Sequence, residues 1–415
     1  MEKRMIADAF EIMDSAVKAV LPGASVRNAL NTIDRRPSYV VAIGKAAWKM
    51  AKAAAEELGD DLLEGVVITK YAHSEGPSPG MRIYEAGHPI PDINSLRATE
   101  QALSLADRLG PDDRLIFLVS GGGSALFEAL PEGMTLADLE ELNRQLIASG
   151  ASITEINAVR KHLSAVKGGR FAQRCAPATV INVVLSDIIG DPLDAIASGP
   201  AYPDASTSSD AMAVLERYGI AVREEMRKAI LQETPKELSN IRCCITGNVK
   251  LLCEAAKERA EELGYVPQVL TTTLDCEARE AGAFFAALAR QIRAGGACFA
   301  PPCALIAGGE TVVHLRGSGK GGRNQELALA ASRGLRGLEN VVFFSLGSDG
   351  TDGPTDAAGG IVDGALYDAC QGKGLSVDAA LENNDAYPLL KEMGALIVTG
   401  PTGTNVNDLM VLLVR

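Results

Sequence analysis

Aromatic side chains are scarce: Phe, Trp and Tyr make up 4% of the 415 residues, with a single tryptophan. Aromatic-lined grooves therefore have little to be built from. Long apolar runs are missing as well. Nowhere do the roughly 18 uncharged apolar residues of a membrane helix stand together, and stretches such as Leu409 to Val414 are far shorter. The opening Met1-Glu2-Lys3-Arg4-Met5 leads into an acid-containing amphipathic stretch and lacks the apolar centre of a signal peptide. A cytoplasmic protein with no membrane partner is expected. Basic charge is in deficit, with 40 Lys and Arg against 53 Asp and Glu and a formal charge of −13. That balance opposes nucleic acid and anionic membranes as partners, so an anionic substrate must find a local basic pocket. The eight cysteines, among them the adjacent Cys243 and Cys244, form no C-x-x-C pair for zinc or dithiol chemistry. They read as small core residues in a reducing compartment. His73, His88, His162 and His314 are far apart, without H-E-x-x-H spacing, and read as structural. No G-x-S-x-G elbow pairs with a His and an Asp, so a hydrolase triad has no support.

Glycine, by contrast, is abundant at 42 residues, which points to tight strand-to-helix turns and close backbone approaches that suit polar, phosphate-type ligands. The length suits two domains, and 47% hydrophobic with 22% charged residues is ordinary for a globular protein. One unit recurs without fixed spacing: a β-branched apolar run, a Gly-rich turn, then an Ala/Leu-rich helical stretch. Tyr39 to Ile43 leads through Gly44 into Lys45 to Leu58, Leu115 to Val119 leads into Ser120 to Ser124, and Val180 to Leu185 leads into Ser186-Asp187. This alternation predicts an α/β fold of two domains, each a largely parallel sheet flanked by helices, the N-terminal one Rossmann-like. The expected division is residues 1–235 and 236–415, with a linker around Gln232 to Asn240 and a second series of strands starting at Ile241. That series includes Ala304 to Ala307, Thr311 to Leu315, Val341 to Ser345 and a last strand, Asp408 to Val414, that could rejoin the first domain.

Five segments carry candidate chemistry. Ser120-Gly121-Gly122-Gly123-Ser124 follows a strand, and its unhindered N–H groups could cradle an anion. Gly317 to Glu326 opens a helix and contains G-x-G-x-x-G at Gly317, Gly319 and Gly322, with Lys320 and Arg323 beside them. As a dinucleotide fingerprint it comes late in the chain. As a Walker A loop it fails, because His314 stands where that motif begins with Gly and Gly321 where Ser or Thr should follow the lysine. Arg160 to Arg170 holds four cations and no acid, and helical spacing puts Arg160 and Lys167 on one face, suited to a carboxylate or phosphate. Asp187 and Asp349 lie in acidic clusters after strands, where carboxylates can hold Mg²⁺ or orient a hydroxyl. Lys45 stands at a helix N-terminus, an end that repels cations, so a bound anion would explain it.

Together these motifs resemble the glycerate 2-kinase family, the type with a MOFRL C-terminal region. The likeness spans nearly the whole chain, through Gly44-Lys45-Ala46, His88 to Asp92, Val119 to Leu126, Asn157 to Arg170, Leu185 to Pro200, Gly308 to Glu326, Ser348 to Gly359 and Thr399 to Asp408. The resemblance implies ATP-dependent phosphorylation of the C2 hydroxyl of D-glycerate with Mg²⁺ or another divalent cation, in a cleft between two α/β domains. It places the family's active-site lysine on Lys45, its arginine on Arg323, and aspartates on Asp187 and Asp349, both also candidate metal ligands. Phosphate or substrate contacts fall to Ser120, Gly121, Gly122, Gly123, Ser124, Gly319, Gly321 and Gly322, and the glycerate carboxylate to Arg160 and Lys167. Ser348 and Ala386 depart from the family pattern, where Thr and Ser are expected. The rival readings are an NAD(P)H-dependent hydroxypyruvate reductase and a non-catalytic hydroxy-acid-binding module. A homo-oligomer is compatible with all three.

Overall fold

In the computed structural model, which describes residues 2–295 and 299–415, the apolar runs become strands because their Val, Ile, Leu and Phe side chains are covered from both faces. The chain divides into two units. One comprises Pro22–Ser186 and Asp191–Thr246; the other comprises Met1–Leu21, Asp187–Gly190 and Gly247–Arg415.

The first unit is built on β1 (Ser38–Ile43), β2 (Leu62–Lys70), β3 (Met81–Ala86), β4 (Arg114–Val119), β5 (Thr179–Leu185) and β6 (Ile241–Gly247), in the order β3-β2-β1-β4-β5-β6. The pairings of β3 with β2, β2 with β1, β1 with β4, and β4 with β5 are parallel. After β1 the chain steps outward to β2 and β3, then returns to lay β4 on the other side of β1. This reversal is the switch point of a doubly wound sheet, and ligands of such sheets bind outside the strand C-termini there. The helix Ala47–Leu58 follows β1 and buries mainly alanines, which let it lie close to the sheet. Asp92 and Ser95 form a capping box for the helix Ile93–Ala106 after β3.

The division falls at Thr246/Gly247, later than the 235/236 junction read from the sequence. Residues Gln232 to Asn240 are no linker: Asn240 accepts from Val180 N through its carbonyl at 2.8 Å and donates its side-chain amide to Ala172 O and Ala178 O. They return the chain to the start of β5 so that Ile241–Gly247 completes the first sheet. The N-terminal helix Glu2–Ala19 belongs to the other unit, where buried Asp8 accepts from Tyr265 Oη at 2.7 Å and from Arg415 Nη2 at 3.2 Å.

The second sheet holds β7 (Val266–Leu274), β8 (Cys303–Gly309), β9 (Val341–Gly347), β10 (Gly359–Asp363), β11 (Leu396–Ile397) and β12 (Asp408–Val414), in the order β11-β10-β9-β12-β8-β7. β7, β8, β9 and β11 share one direction; β10 and β12 run against them. The last strand is therefore central here and does not rejoin the first sheet. It enters from the C-terminal edge of β8 and β9, which makes it antiparallel to both and sets Asp408 opposite Gly309 and Gly347. Thr311 to Leu315, read as a strand, contributes only a bridge between Val312 and Glu277, and its Leu315 is 81% exposed. Phe285, Leu305, Phe343 and Leu412 lie in the core of this unit. Cys175, Cys253, Cys303 and Cys370 are buried as expected, Cys243 and Cys244 partly so, whereas Cys276 is exposed and Cys298 lies outside the described residues. Among the described residues no helix is long and apolar enough to cross a membrane.

Candidate functional site

At the switch point the turns after β1 and β4 are fastened to each other. Gly44 has φ +111°, and a Cβ there would lie 2.3 Å from Ser120 Oγ, so no other residue fits. Ser120 Oγ accepts from Ala46 N at 3.1 Å and donates to Ile43 O at 3.2 Å, while Lys45 N donates to Gly121 O at 2.9 Å. The Ser120 hydroxyl is thus occupied by the protein itself. Ser124 Oγ lies 2.9 Å from Ser198 Oγ, and Gly123 packs on Ala197. Lys45 O is met by His73 Nδ1 at 3.1 Å and Thr69 Oγ1 at 3.4 Å. Among the described residues the Lys45 ammonium has no hydrogen-bond or ion-pair partner. Its backbone is held and its charge is left for a ligand.

The basic stretch is organised differently from its sequence reading. The helix Ile153–His162 ends before Lys167, so Arg160 and Lys167 do not share a helical face. Lys167 is 1% exposed and pairs with buried Glu128, while burial pushes its amine down and Glu128 holds it up. Lys161 pairs with Asp194 at 3.0 Å and Asp204 at 3.2 Å, and Arg170 donates to the carbonyls of Ser164 and Gln232. Lys167 is therefore consumed by an internal ion pair, one that desolvation would make costly to break. Arg160 alone of these cations has no hydrogen-bond or ion-pair partner among the described residues. Burial draws its pKa down and Glu128 draws it up.

The second unit gathers the remaining candidates where β8, β9 and β12 meet. Arg323, first residue of the helix Arg323–Leu335, donates from Nε to Asp408 Oδ2 at 2.6 Å and from Nη2 to Asp408 Oδ1 at 3.0 Å. Its Nη1 donates to Glu310 Oε1 at 2.6 Å. Asn407, with φ 68°, donates its amide to Glu310 Oε2 at 3.2 Å and to Asp187 O at 3.1 Å. Asp349 Oδ1 accepts from Thr351 N at 2.9 Å, and it and Asp408 Oδ1 lie 3.3 and 3.5 Å from the point where Gly347 would carry a Cβ. Arg323 and Asp349 thereby lie about Asp408, and Asp187 joins them through its backbone carbonyl. Burial works against the Arg323 charge, but Asp408 and Glu310 overcome it and raise the guanidinium pKa above its usual value. For Asp408, burial outweighs Arg323 and raises the carboxyl pKa.

The loop before this helix is shaped by its own neighbours. A Cβ at Gly319 would lie 2.5 Å from Asn383 O, and one at Gly322 would lie 2.3 Å from Asp352 Cγ. Gly317 is equally close to Asn383, so these glycines admit protein backbone and side chain, which is enough to require them without a nucleotide. A Cβ at Gly321 would meet nothing nearer than Ala386 N at 3.3 Å.

Asp352 caps the helix by accepting from Asn324 N at 3.1 Å and Gln325 N at 2.9 Å. Burial raises its carboxyl from 3.8 to about 6, against the pull of those two amides. A carboxyl raised on folding contributes stability that is complete below its unfolded value and is lost as pH rises through the folded one. The stability difference between wild type and Asp352→Asn should therefore shrink by on the order of 2–3 kcal/mol from about pH 4 to about pH 6.5. Urea titrations across that range check it, and a constant difference would refute it.

Glu310, Asn407, Asp408 and Asp352 escaped the sequence reading as individual site residues. Glu310 directly follows β8 and Asp408 begins β12. The rule that singled out Asp187 and Asp349, a carboxylate at a strand end, applies to Glu310 as well. Asp408 needed the knowledge that its strand enters from the same edge.

Comparison with known proteins identifies the family. Residues 8–231 match a family described as a domain of unknown function (DUF4147), and residues 303–408 match the MOFRL family. The chain is 54% identical to a D-glycerate 2-kinase of Thermotoga maritima, over 98% of this chain and 97% of that protein. It is 42% identical to a glycerate 2-kinase of Pyrococcus horikoshii, over 97% and 96% of the two chains. A crystal structure of a glycerate kinase from Thermotoga maritima superposes with a TM-score of 0.98 at 53% identity and covers all of both chains. With both regions matched in order and full-length relatives at this identity, the chain belongs to the glycerate 2-kinase family.

Proposed function

We propose that the protein transfers the γ-phosphoryl group of ATP to the C2 hydroxyl of D-glycerate, giving 2-phosphoglycerate and ADP. The observation that carries this reading is the Lys45 ammonium, left without a hydrogen-bond or ion-pair partner among the described residues at the switch point of the first unit; the second unit separately holds Arg323, fixed by Asp408. Phosphoryl transfer asks a protein for positioning and for neutralisation of charge on the transferring group, and two such cations supply the second. The turns around Gly121, Gly122 and Gly123, with the loop through Gly319, Gly321 and Gly322, are assigned to the phosphates. Arg160 takes the glycerate carboxylate; Lys167 supports it only indirectly, through Glu128.

Around Arg323, the carboxylates of Asp408, Glu310 and Asp349 outnumber the cation, a balance that would repel phosphates unless a divalent cation joined them. Among the described residues no preformed group of three or more metal-ligating side chains exists. Mg²⁺ is nevertheless commonly held by one or two carboxylates with water and substrate phosphates, and this all-oxygen donor set fits such a cation. We assign Asp349 to the cation, and Asp187 to the cation or to the substrate hydroxyl. When bound, the cation would neutralise charge on the phosphates. Asp349→Asn keeps the acceptor for Thr351 N and removes the charge, so turnover should fall by roughly 10²-fold with little change in Tm. Normal turnover and normal Mg²⁺ dependence in that variant would remove Asp349 from the metal site.

The reductase reading would use Gly317, Gly319 and Gly322 for a dinucleotide, yet those glycines are already packed against Asn383, Asp385 and Asp352. Incubation with D-glycerate and Mg-ATP, and separately with hydroxypyruvate and NADH, tests the choice. ADP in the first mixture supports the kinase; NAD⁺ in the second without ADP in the first overturns it.

A further inference from the structure

His88, read from sequence as structural, lies just beyond the C-terminal end of β3, and Lys70 is the last residue of β2. The turn after β4 brings Gly122 to the same edge. A Cβ on Gly122 would lie 3.0 Å from both Cδ2 and Nε2 of His88 and 3.3 Å from Lys45 Cγ. The imidazole and the lysine thus flank one point over the switch-point turn. Among the described residues neither ring nitrogen of His88 has a hydrogen-bond partner.

The charged groups acting on His88 are Lys45, Lys70 and His73, all of them basic. The carboxylates of neighbouring segments have other partners. Asp92 accepts from Tyr71 Oη at 2.6 Å, from Ser95 N at 2.9 Å and from the backbone of Gly87 beside His88, Glu85 accepts from Ser74 N at 3.0 Å, and Glu75 faces Lys49 at 3.8 Å. In a chain of net charge −13, four basic groups gathered without a carboxylate among them need an anion from outside.

We propose that His88 and Lys45 form an oxyanion seat over Gly122, in which the His88 imidazole takes up a proton as the anion binds. The anion is a carboxylate or phosphoryl oxygen of a substrate. This deepens the kinase reading and rests on it only for which substrate brings the oxyanion. Burial first and then Lys45, Lys70 and His73 lower the His88 pKa and so favour the neutral ring. An oxyanion against the ring favours imidazolium, and the proton comes from the buffer. Affinity for the anion should be highest below the free-state pKa, fall as pH rises through the gap to the bound-state pKa, and level off above it.

Isothermal titration of the full chain, in buffers of different ionisation enthalpy, reads the proton directly. D-glycerate, Mg-ATP and inorganic phosphate are the three separate probes. Binding of at least one probe should take up roughly half a proton near pH 7. Uptake with glycerate alone assigns the seat to the carboxylate; uptake with Mg-ATP or phosphate assigns it to a phosphoryl group. His88→Gln should lose the uptake and bind that probe roughly tenfold more weakly at about pH 6, converging on wild type at about pH 8.5. His88→Arg, with a permanent charge, should hold its affinity at the higher pH. Wild type without uptake for every probe, or a folded His88→Gln that keeps both uptake and pH dependence, overturns the proposal. Proton uptake in a protein that forms no ADP would refute the kinase reading and leave the seat standing.

Discussion

Arg323→Lys should lower kcat by roughly 10²-fold or more while leaving KM for ATP nearly unchanged. Asp408 occupies Nε and Nη2 of the arginine and Glu310 occupies Nη1. A guanidinium has five N–H donors, so one remains on each Nη and can be offered to phosphate oxygens. Lysine keeps the charge opposite buried Asp408 but cannot both satisfy its two oxygens and present two further donors. The loss should therefore be of geometry. Arg323→Ala answers a different question, since it leaves Asp408 buried without its cation at about 3–5 kcal/mol. A folded Arg323→Lys variant with wild-type kcat would remove Arg323 from the transition state.

Lys45→Met should be the most damaging change at the switch point, with kcat/KM down by roughly 10³-fold and Tm unchanged within a few degrees. The backbone of Lys45 is held by Gly121 O, His73 Nδ1 and Thr69 Oγ1, none of which depends on its side chain. Methionine copies the aliphatic stem that lies along Gly122 and omits the ammonium. Because that ammonium has no partner among the described residues, its removal strands no buried carboxylate. If activity survives while the fold does, Lys45 is a surface charge; if Tm collapses, the lysine is holding structure and the assignment is equally wrong.

The α/β alternation of the first unit was legible because each strand there is a continuous apolar run followed by its turn, and Gly44-Lys45 and Ser120 to Ser124 each announce a switch-point turn. What sequence could not show was that the two turns clasp each other through Ser120, or that His88 comes to the same edge from β3. The domain boundary was misplaced because Ile241–Gly247 reads like the start of a new series, and only its place beside β5 makes it the last strand of the old one. Lys167 was read as a ligand because local spacing suggested a helix; Glu128, 39 residues earlier, claims it instead. The antiparallel entry of β12 was equally hidden, and with it the role of Asp408. In each case the missing information is a contact between residues distant in sequence, which periodicity and composition do not encode.

The position of the transferred phosphoryl group tests the central claim most directly. Phosphorus NMR of the purified protein with D-glycerate and Mg-ATP should show ADP appearing together with a phosphate ester on C2 that enolase then consumes without a mutase. An ester on C3, or ATP left intact while NADH is oxidised by hydroxypyruvate, would contradict it.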